Sequence, residues 1–208
     1  MILETISVGP LESNCYILAS KKNSLAIIID PGADEEKIRS VLNKHGLKPG
    51  IVVNTHGHYD HIGCDDKFGV DVFVHKDDAE LLRDAGRNFS TFLGNSFAVT
   101  SEIKTLEDKQ RIRLEEIELE VIHTPGHTPG GISLLMLQPE NKILFTGDSL
   151  FYRSVGRTDF PGASHEQLID AIKARLLGLA DDTVIYPGHG PESTIGAEKR
   201  HNQYLMHK

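Results

Sequence analysis

The sequence has little cysteine and no excess of positive charge. Only Cys15 and Cys64 occur among 208 residues, too few for a disulfide framework, so a reducing cytoplasm is the expected location. The formal net charge is −8 at pH 7. This charge argues against a nucleic-acid partner, because phosphate binding requires clustered lysine and arginine.

Long apolar segments and several common motifs are also missing. The first ten residues, MILETISVGP, have neither a basic region nor an apolar core, so no signal peptide is predicted. No apolar run approaches the roughly 20 residues needed to cross a bilayer, so no membrane partner is expected. The chain contains no G-x-G-x-x-G pattern of a dinucleotide-binding fold and no G-x-S-x-G element of a serine hydrolase. A single domain over residues 1–208 is the expected organisation.

Short strand-like runs alternate with helical patterns twice along the chain. Strands are predicted at residues 2–8, 15–19, 25–29, 51–54, 71–75, 132–137, 142–145 and 183–186, and within 111–122. Helices are predicted at 33–45, from 60 to 68, from an Asp77/Glu80 capping box to Gly86, from a Ser164/Gln167 capping box to about residue 179, and at 195–205. Residues 87–106 are predicted to be a loop that could cover a site. The pattern indicates an α/β fold in which two packed sheets carry helices on the outside.

Histidine is the residue type that stands out. Five of the eleven histidines lie in turns rich in glycine or proline, most of them directly after an apolar run. The four turns that carry possible metal ligands are THGHYDH (55–61), TPGHTPGG (124–131), FTGDSLF (145–151) and YPGHGP (186–191). Glycine and proline suit such places because tight turns fix a side chain rigidly at a strand end.

The spacing within the first turn indicates how the ligands are divided. His56 and His58 are two residues apart, so in extended backbone they point to the same side and can bind one ion. Asp60 and His61 follow in a turn and point elsewhere, where they could serve a second ion. His127 and His189 are the candidates for the third ligands, and Asp148 could bridge both ions: His56, His58, Asp60, His61, His127, Asp148 and His189 are thus the seven candidate ligands.

Imidazole and carboxylate ligands favour two divalent metal ions, zinc first, with iron or manganese as alternatives. A single H-x-H pair in a loop is usually surface chemistry without a metal. Four such turns in one small chain favour the dinuclear site over that simpler interpretation.

The H-x-H-x-D-H motif, followed by TPGHTPGG, TGD and PGHG, resembles the metallo-β-lactamase superfamily over essentially the whole chain. Within it, the sequence is most similar to short, single-domain glyoxalase II-like proteins, that is, to hydroxyacylglutathione hydrolases. The resemblance implies a four-layer αββα fold. It also implies that one metal is held by His56, His58 and His127, the other by Asp60, His61 and His189, and that Asp148 bridges them.

The activity implied is hydrolysis of a small-molecule acyl thioester, such as S-lactoylglutathione, by a metal-bridging hydroxide. Asp60 is the predicted catalytic residue: besides its ligand role, it would orient the attacking water or accept its proton. Neither cysteine lies in a motif that would nominate it as a nucleophile, and Cys15 is expected in the core.

The substrate is less well defined by the sequence. The chain ends about one helix after Gly190, so the helical region that helps glyoxalase II proper bind glutathione is expected to be missing. The glutathione-contacting segment of that family corresponds here to residues 155–159, where Arg157 could contact a substrate carboxylate or pair with Asp159. The same segment resembles persulfide dioxygenases, which hold one iron with the equivalents of His56, His127 and Asp148. That dioxygenase, and a non-catalytic metal-binding protein, are the alternatives.

Overall fold

The structure is a computed structural model that describes residues 1–138 and 142–206. A first mixed sheet of six strands follows chain order: β1 (Ile2–Val8), β2 (Ser13–Ala19), β3 (Leu25–Ile29), β4 (Lys48–Val53), β5 (Val72–His75) and β6 (Ile103–Leu106). The first three strands pair antiparallel, and β3 to β6 run parallel. The parallel half therefore carries its strand ends, and the turns that follow them, at one edge of the sheet.

The second sheet also has six strands and the order β14-β13-β10-β9-β8-β7. Its strands are β7 (Arg111–Leu114), β8 (Ile117–His123), β9 (Ile132–Met136), β10 (Ile143–Gly147), β13 (Val184–Pro187) and β14 (Ser193–Thr194), and a separate ribbon is formed by β11 (Leu150–Phe151) and β12 (Ser154–Val155). β10 and β13 pair in parallel, so their C-terminal ends lie side by side.

In the part of the chain that the structure describes, six short helices cover the two sheets. They are α1 (Glu35–His45), α2 (Tyr59–Ile62), α3 (Ala79–Arg83), α4 (His165–Ala171), α5 (Ile195–His201) and α6 (Gln203–Met206), with single helical turns at Asp65–Lys67, Lys76–Asp78 and Ser90–Leu93 and a wider π turn at Ile172–Leu176. Within the described ranges, none of these helices has the length and apolar character to span a membrane.

Three apolar clusters account for the layering. The central cluster joins the inner faces of both sheets, for example Ile27 of β3 and Leu134 of β9. A second cluster buries Ile38 of α1 against the outer face of the first sheet, and a third buries Leu168 of α4 against the second sheet. The α/β sandwich with helices outside both sheets, predicted from the alternating pattern, is confirmed.

Two predicted helix boundaries near the ligand turns are wrong. The helix predicted from residue 60 to 68 stops at Ile62, because the amide of Cys64 donates to Pro31 O at 2.8 Å instead of continuing the helical ladder. The Asp77/Glu80 capping box is wrong: Asp78 precedes α3, and its carboxylate points inward. The Ser164 cap is confirmed, since its hydroxyl accepts a hydrogen bond from the Gln167 amide at 3.3 Å.

Two more predictions are corrected farther along the chain. The final helix is interrupted at Asn202, whose backbone is extended and whose side-chain amide donates to Ser154 O and to the Glu198 carboxylate. The predicted loop over residues 87–106 contains strand β6, which completes the parallel part of the first sheet. The remainder of that segment holds the turn Ser90–Leu93 beside the ligand turns.

Candidate metal centre

The four ligand-bearing turns meet at one edge of the sandwich, as the strand directions require. The first turn follows β4 in the first sheet, whereas the turns with Asp148 and His189 follow the neighbouring strands β10 and β13 in the second. His127 lies in the loop between β8 and β9. Hydrogen bonds across the sheets fix this edge: the amide of Ile132 donates to Thr55 O at 2.9 Å, and that of Asn14 to Gly188 O at 2.7 Å.

Six of the seven predicted ligands form two triads. His56, His58 and His127 make one, and Asp60, His61 and His189 make the other; within each triad the ligand atoms lie within 4.8 Å of one another. In the first, His58 Nδ1 is 2.9 Å from His127 Nε2. In the second, His189 Nε2 is 3.4 Å from His61 Nε2 and 3.2 Å from Asp60 Oδ2. Two nitrogens on a tetrahedral zinc ion would be about 3.3 Å apart, so both triads have the spacing of a ligand set.

Asp148 lies between the two triads. Its Oδ2 is 3.5 Å from His127 Nε2 and its Oδ1 is 3.5 Å from His61 Nε2. Its Oδ2 is also 3.7 Å from His189 Nε2, so the carboxylate contacts both triads, as a bridging ligand would need to.

Hydrogen bonds on the far side of the rings determine which nitrogen is available. The Nδ1 atoms of His127 and His189 contact the carbonyl oxygens of Arg157 (2.7 Å) and Leu11 (3.1 Å). A carbonyl can only accept, so both Nδ1 atoms carry a proton and Nε2 is the nitrogen of each ring that is left to bind an ion. Both Nε2 atoms face the cleft.

Asp30 orients two more rings, although its position after β3 gave no signal in the sequence. Its carboxylate accepts hydrogen bonds from His61 Nδ1 at 3.0 Å, from the Thr55 hydroxyl at 2.6 Å and from the Thr55 amide at 2.7 Å. The only hydroxyl proton of Thr55 is used on Asp30, so Thr55 Oγ1 can only accept from His56 Nδ1, 3.2 Å away. His56 and His61 therefore also present Nε2 to the cleft. Asp30, His56 and His61 form a third possible ligand group, but the carboxylate already accepts three hydrogen bonds from these donors.

A second buried carboxylate, that of Asp78, joins the loops that carry the first triad. It accepts from the amides of Gly57 (2.9 Å) and Gly130 (2.6 Å) and from the hydroxyl of Thr128 (2.7 Å). Gly57 separates His56 from His58, and Thr128 follows His127. The inward-pointing Asp78 thus holds the two loops at a fixed separation.

The pKa values separate the two triads when no ion is bound. Burial, followed by the neighbouring His127, lowers the pKa of His58 to about 3, and burial lowers that of His56 well below 6.5. Burial alone would also lower the pKa of His61, but the carboxylates of Asp60, Asp148 and Asp30 outweigh it and raise the pKa to about 10. His56 and His58 are thus poised as neutral imidazoles, whereas His61 is poised as a charged imidazole among the carboxylates.

Two orphaned atoms show that these residues fit a metal. Among the described residues, His56 Nε2 and Asp148 Oδ1 are buried polar atoms without a hydrogen-bond partner. A buried polar atom without a partner is costly, and ions held by the two triads would give both atoms a partner.

Gly188 shows how closely the backbone approaches the centre. A Cβ atom at this position would lie 2.1 Å from Asp148 Oδ1 and 2.9 Å from His61 Cε1. No side chain fits there, so the glycine before His189 is required by the packing of the ligands.

An open cavity of about 680 Å³ reaches the ligands from solvent. Beyond ligand residues it is lined by Leu11, Tyr59, Asn88, Phe89, Phe92, Leu93, Phe151, Arg157 and Phe160. Arg157 pairs with Asp159 at 3.0 and 2.7 Å and stacks over the Phe160 ring. Of its two predicted roles, the structure shows the ion pair. Both cysteines are buried, and burial raises the pKa of each thiol, which disfavours a thiolate nucleophile.

Comparison with known proteins agrees with the fold. The family described as Metallo-beta-lactamase superfamily matches residues 8–189. The hydroxyacylglutathione hydrolase GloC of Haemophilus influenzae is 36% identical to this chain, and the alignment covers 100% of both proteins.

Solved structures share the same architecture. The BLEG-1 B3 metallo-beta-lactamase superposes with a TM-score of 0.91 at 35% identity, covering 99% of this chain and 100% of that one. TTHA1623 in a di-iron-bound form superposes with a TM-score of 0.81 at 33% identity, covering 97% of this chain and 100% of that one. ETHE1 from Myxococcus xanthus superposes with a TM-score of 0.80 at 25% identity, covering 98% of this chain and 84% of that one.

Proposed function

The chain belongs to the metallo-β-lactamase superfamily, and from this premise we propose that it is a metal-dependent thioester hydrolase of the hydroxyacylglutathione hydrolase type. The observation that carries the proposal is the pair of adjacent triads with Asp148 between them, at the base of an open cavity. The full-length similarity to GloC supports the thioester as the bond that is cleaved. A site that holds metals only for storage would not need a cavity of this size.

His56, His58 and His127 would hold one divalent ion, Asp60, His61 and His189 the other, and Asp148 would contact both. We propose zinc, because four-coordinate imidazole sites suit it, while the di-iron form of TTHA1623 keeps iron as an alternative. When bound, such ions supply an activated water at neutral pH and polarise the carbonyl oxygen of the substrate.

The residues of the chain position and protonate the reacting groups. Ser13 donates a hydrogen bond to Asp60 Oδ2 at 2.9 Å, which holds that carboxylate at the cleft. Asp60 would orient the attacking water and accept its proton, while Asp30 keeps His61 in the tautomer that presents Nε2. Water adds to the acyl carbon, the C–S bond breaks, and the products are a carboxylic acid and a thiol that takes up the transferred proton.

Hydrolysis and metal content measured on the same preparation test the proposal. S-lactoylglutathione is expected to be hydrolysed by protein that carries two ions per chain, and activity should disappear on chelation and return with zinc. Protein with two ions per chain that cleaves no thioester would contradict the assignment.

The second candidate is a persulfide dioxygenase, favoured by the structural similarity to ETHE1. One iron would then be held by His56, His127 and Asp148. Oxygen consumption with glutathione persulfide, at one iron per chain, would identify this activity. The intact second triad favours the hydrolase, because the mononuclear enzyme does not use it.

Metal binding should release protons from the second triad and none from His56 or His58. The metal-free His61 has a pKa of about 10, and the carboxylates of Asp60 and Asp148 outweigh burial and raise that of His189 as well. At pH 7 an ion must therefore displace protons there, whereas the neutral His56 and His58 have none to lose. Because the pKa of His61 is raised to about 10, a proton competes with the metal ion for this ring below pH 10. The affinity of the second triad for the ion should therefore fall about tenfold for each unit by which the pH is lowered, for each proton released.

Calorimetric titration of metal-free protein with zinc, in two buffers of different ionisation enthalpy, measures these protons. We expect the step that fills the second triad to release about one to two protons from His61 and His189, and the other step to release none from His56 and His58. Two steps that are equally independent of pH between 6.5 and 8.5 would refute the protonated state of metal-free His61.

A further inference from the structure

The cavity in front of the metal ligands has an apolar rim. Three of the large apolar side chains that are strongly exposed in the described residues line this cavity. They are Leu11, Phe92 and Leu93, which are 48%, 80% and 45% exposed. Exposed apolar side chains scattered singly are ordinary, but a group of them around one opening marks a binding surface.

The inner wall continues the same character towards the ligands. The ring of Phe89 contacts both Phe92 (5.8 Å between centroids) and Phe160 (5.0 Å), and Phe160 in turn lies 5.3 Å from the ring of His58. Phe151 faces His189 at 6.1 Å from the opposite side. An apolar surface thus runs without interruption from solvent to both triads.

The cavity offers little to a charged group. Apart from the candidate ligand histidines, Arg157 is the only cation among the lining residues. Its guanidinium is bound by both carboxylate oxygens of Asp159 and stacks on Phe160. A substrate carboxylate would have to displace Asp159 before it could use this charge.

A smaller cavity of about 360 Å³ meets the first at His58, Phe89 and His127. It is lined by Arg87, whose backbone amide is hydrogen-bonded to Asp84 and whose side chain is exposed. A thioester whose carbonyl lies at the ligands has two arms, and the two cavities offer one compartment for each. The smaller compartment is lined by Arg87 together with apolar residues such as Leu81 and Pro161.

We propose that the substrate is a thioester with an uncharged, apolar arm of four or more carbons, alkyl or aryl, that fills the larger cavity. This inference rests on the proposed thioester hydrolysis and narrows its substrate class. Burial of each additional methylene group contributes about 0.8 kcal/mol, so four of them should raise kcat/KM at least tenfold. The apolar arm could belong to the acyl group or to the thiol, and the experiment separates the two.

The test uses the zinc-loaded protein and two series of thioesters. In the first, acetyl, butyryl, hexanoyl and octanoyl groups are carried by N-acetylcysteamine; in the second, the acyl group is lactoyl and the thiol is N-acetylcysteamine, hexanethiol or benzyl mercaptan. We expect kcat/KM to rise at least tenfold along one series, which identifies the arm. In Phe92→Ser, the ratio of kcat/KM for the longest member of that series to kcat/KM for the shortest should fall at least threefold. Met206 is an exposed apolar residue outside the cavity, so Met206→Ser should leave this ratio unchanged.

Binding of 1-octanol, followed by ligand-observed NMR, gives a readout that does not depend on turnover. The alcohol should bind the parent protein and Met206→Ser, and bind more weakly to Phe92→Ser. Hydrolysis that is equally fast along both series, or that requires glutathione as the carrier, would overturn the apolar substrate while the thioesterase stands. If no thioester is cleaved at all, both proposals fall together.

Discussion

Replacing Asp60 with alanine is expected to lower kcat by about 10²- to 10⁴-fold, the usual contribution of a positioned acid or base. Asp60 is the only carboxylate of the second triad, and Oδ2 lies 3.2 Å from His189 Nε2 and 3.5 Å from His61 Nε2. Without it two imidazoles remain, and the water loses its proton acceptor. The loss should therefore appear in kcat and in the metal content together.

The fold should survive this replacement. The Asp60 side chain is 19% exposed at the cleft, and its hydrogen bond from Ser13 is a contact of the site and not of the core. Metal analysis should find about one ion per chain instead of two, while circular dichroism and the unfolding midpoint of the metal-free proteins stay close to those of the parent. Asp182→Ala, which removes an exposed aspartate paired with Lys142, is the matched control. Near-normal turnover in Asp60→Ala would remove Asp60 from the proposed mechanism.

The location of the candidate ligand turns was predictable because each turn follows a strand, and the end of a strand fixes where the next side chains lie. His56 and His58 are two residues apart in extended backbone, so their common direction followed from the sequence spacing alone. The grouping with His127 and His189 came from the family resemblance, and the structure brings these residues together. The helix boundaries were less predictable, because tertiary hydrogen bonds such as Cys64 N to Pro31 O end them.

Two features of the site could not be derived from local patterns, although residues 87–106 were predicted to be a loop that could cover a site. Asp30 stands in an ordinary Asp-Pro-Gly turn, and only the fold brings its carboxylate to Thr55 and His61. The apolar cavity is assembled from rings that are far apart in sequence, such as Phe89, Phe151 and Phe160. Neither depends on a local pattern, so neither can be derived from periodicity or spacing.

Replacing Asp30 is the second change expected to have a large effect, and two variants separate its two roles. Asp30→Ala leaves three buried donors without an acceptor, and the loss of a buried hydrogen-bonded charge costs about 3–5 kcal/mol of unfolding free energy. Alanine also has to adopt the positive φ of 52° found here, a region that asparagine tolerates better. Asp30→Asn should therefore keep the fold but lose the charge that orients His61.

The expected result for Asp30→Asn is a 10- to 100-fold weaker affinity for one of two zinc ions, about the size of effect seen when a residue that orients a metal ligand is changed. The affected ion should be the one held by the second triad, because His61 donates directly to Asp30 whereas His56 is linked to it only through Thr55. Competition with a chromogenic chelator measures both affinities, and urea unfolding of metal-free protein measures stability.

Asp65→Asn is the matched control for a buried carboxyl group. Asp65 is as buried as Asp30 and accepts one hydrogen bond, from the Asn54 amide at 3.2 Å. Burial raises the pKa of Asp65 well above its ordinary value, so the protonated form is favoured and a neutral amide replaces it with little change. If Asp65→Asn weakened zinc binding as much as Asp30→Asn, the effect would arise from disturbing the buried strand end. A selective loss in Asp30→Asn would instead trace it to the single hydrogen bond that fixes the His61 ring.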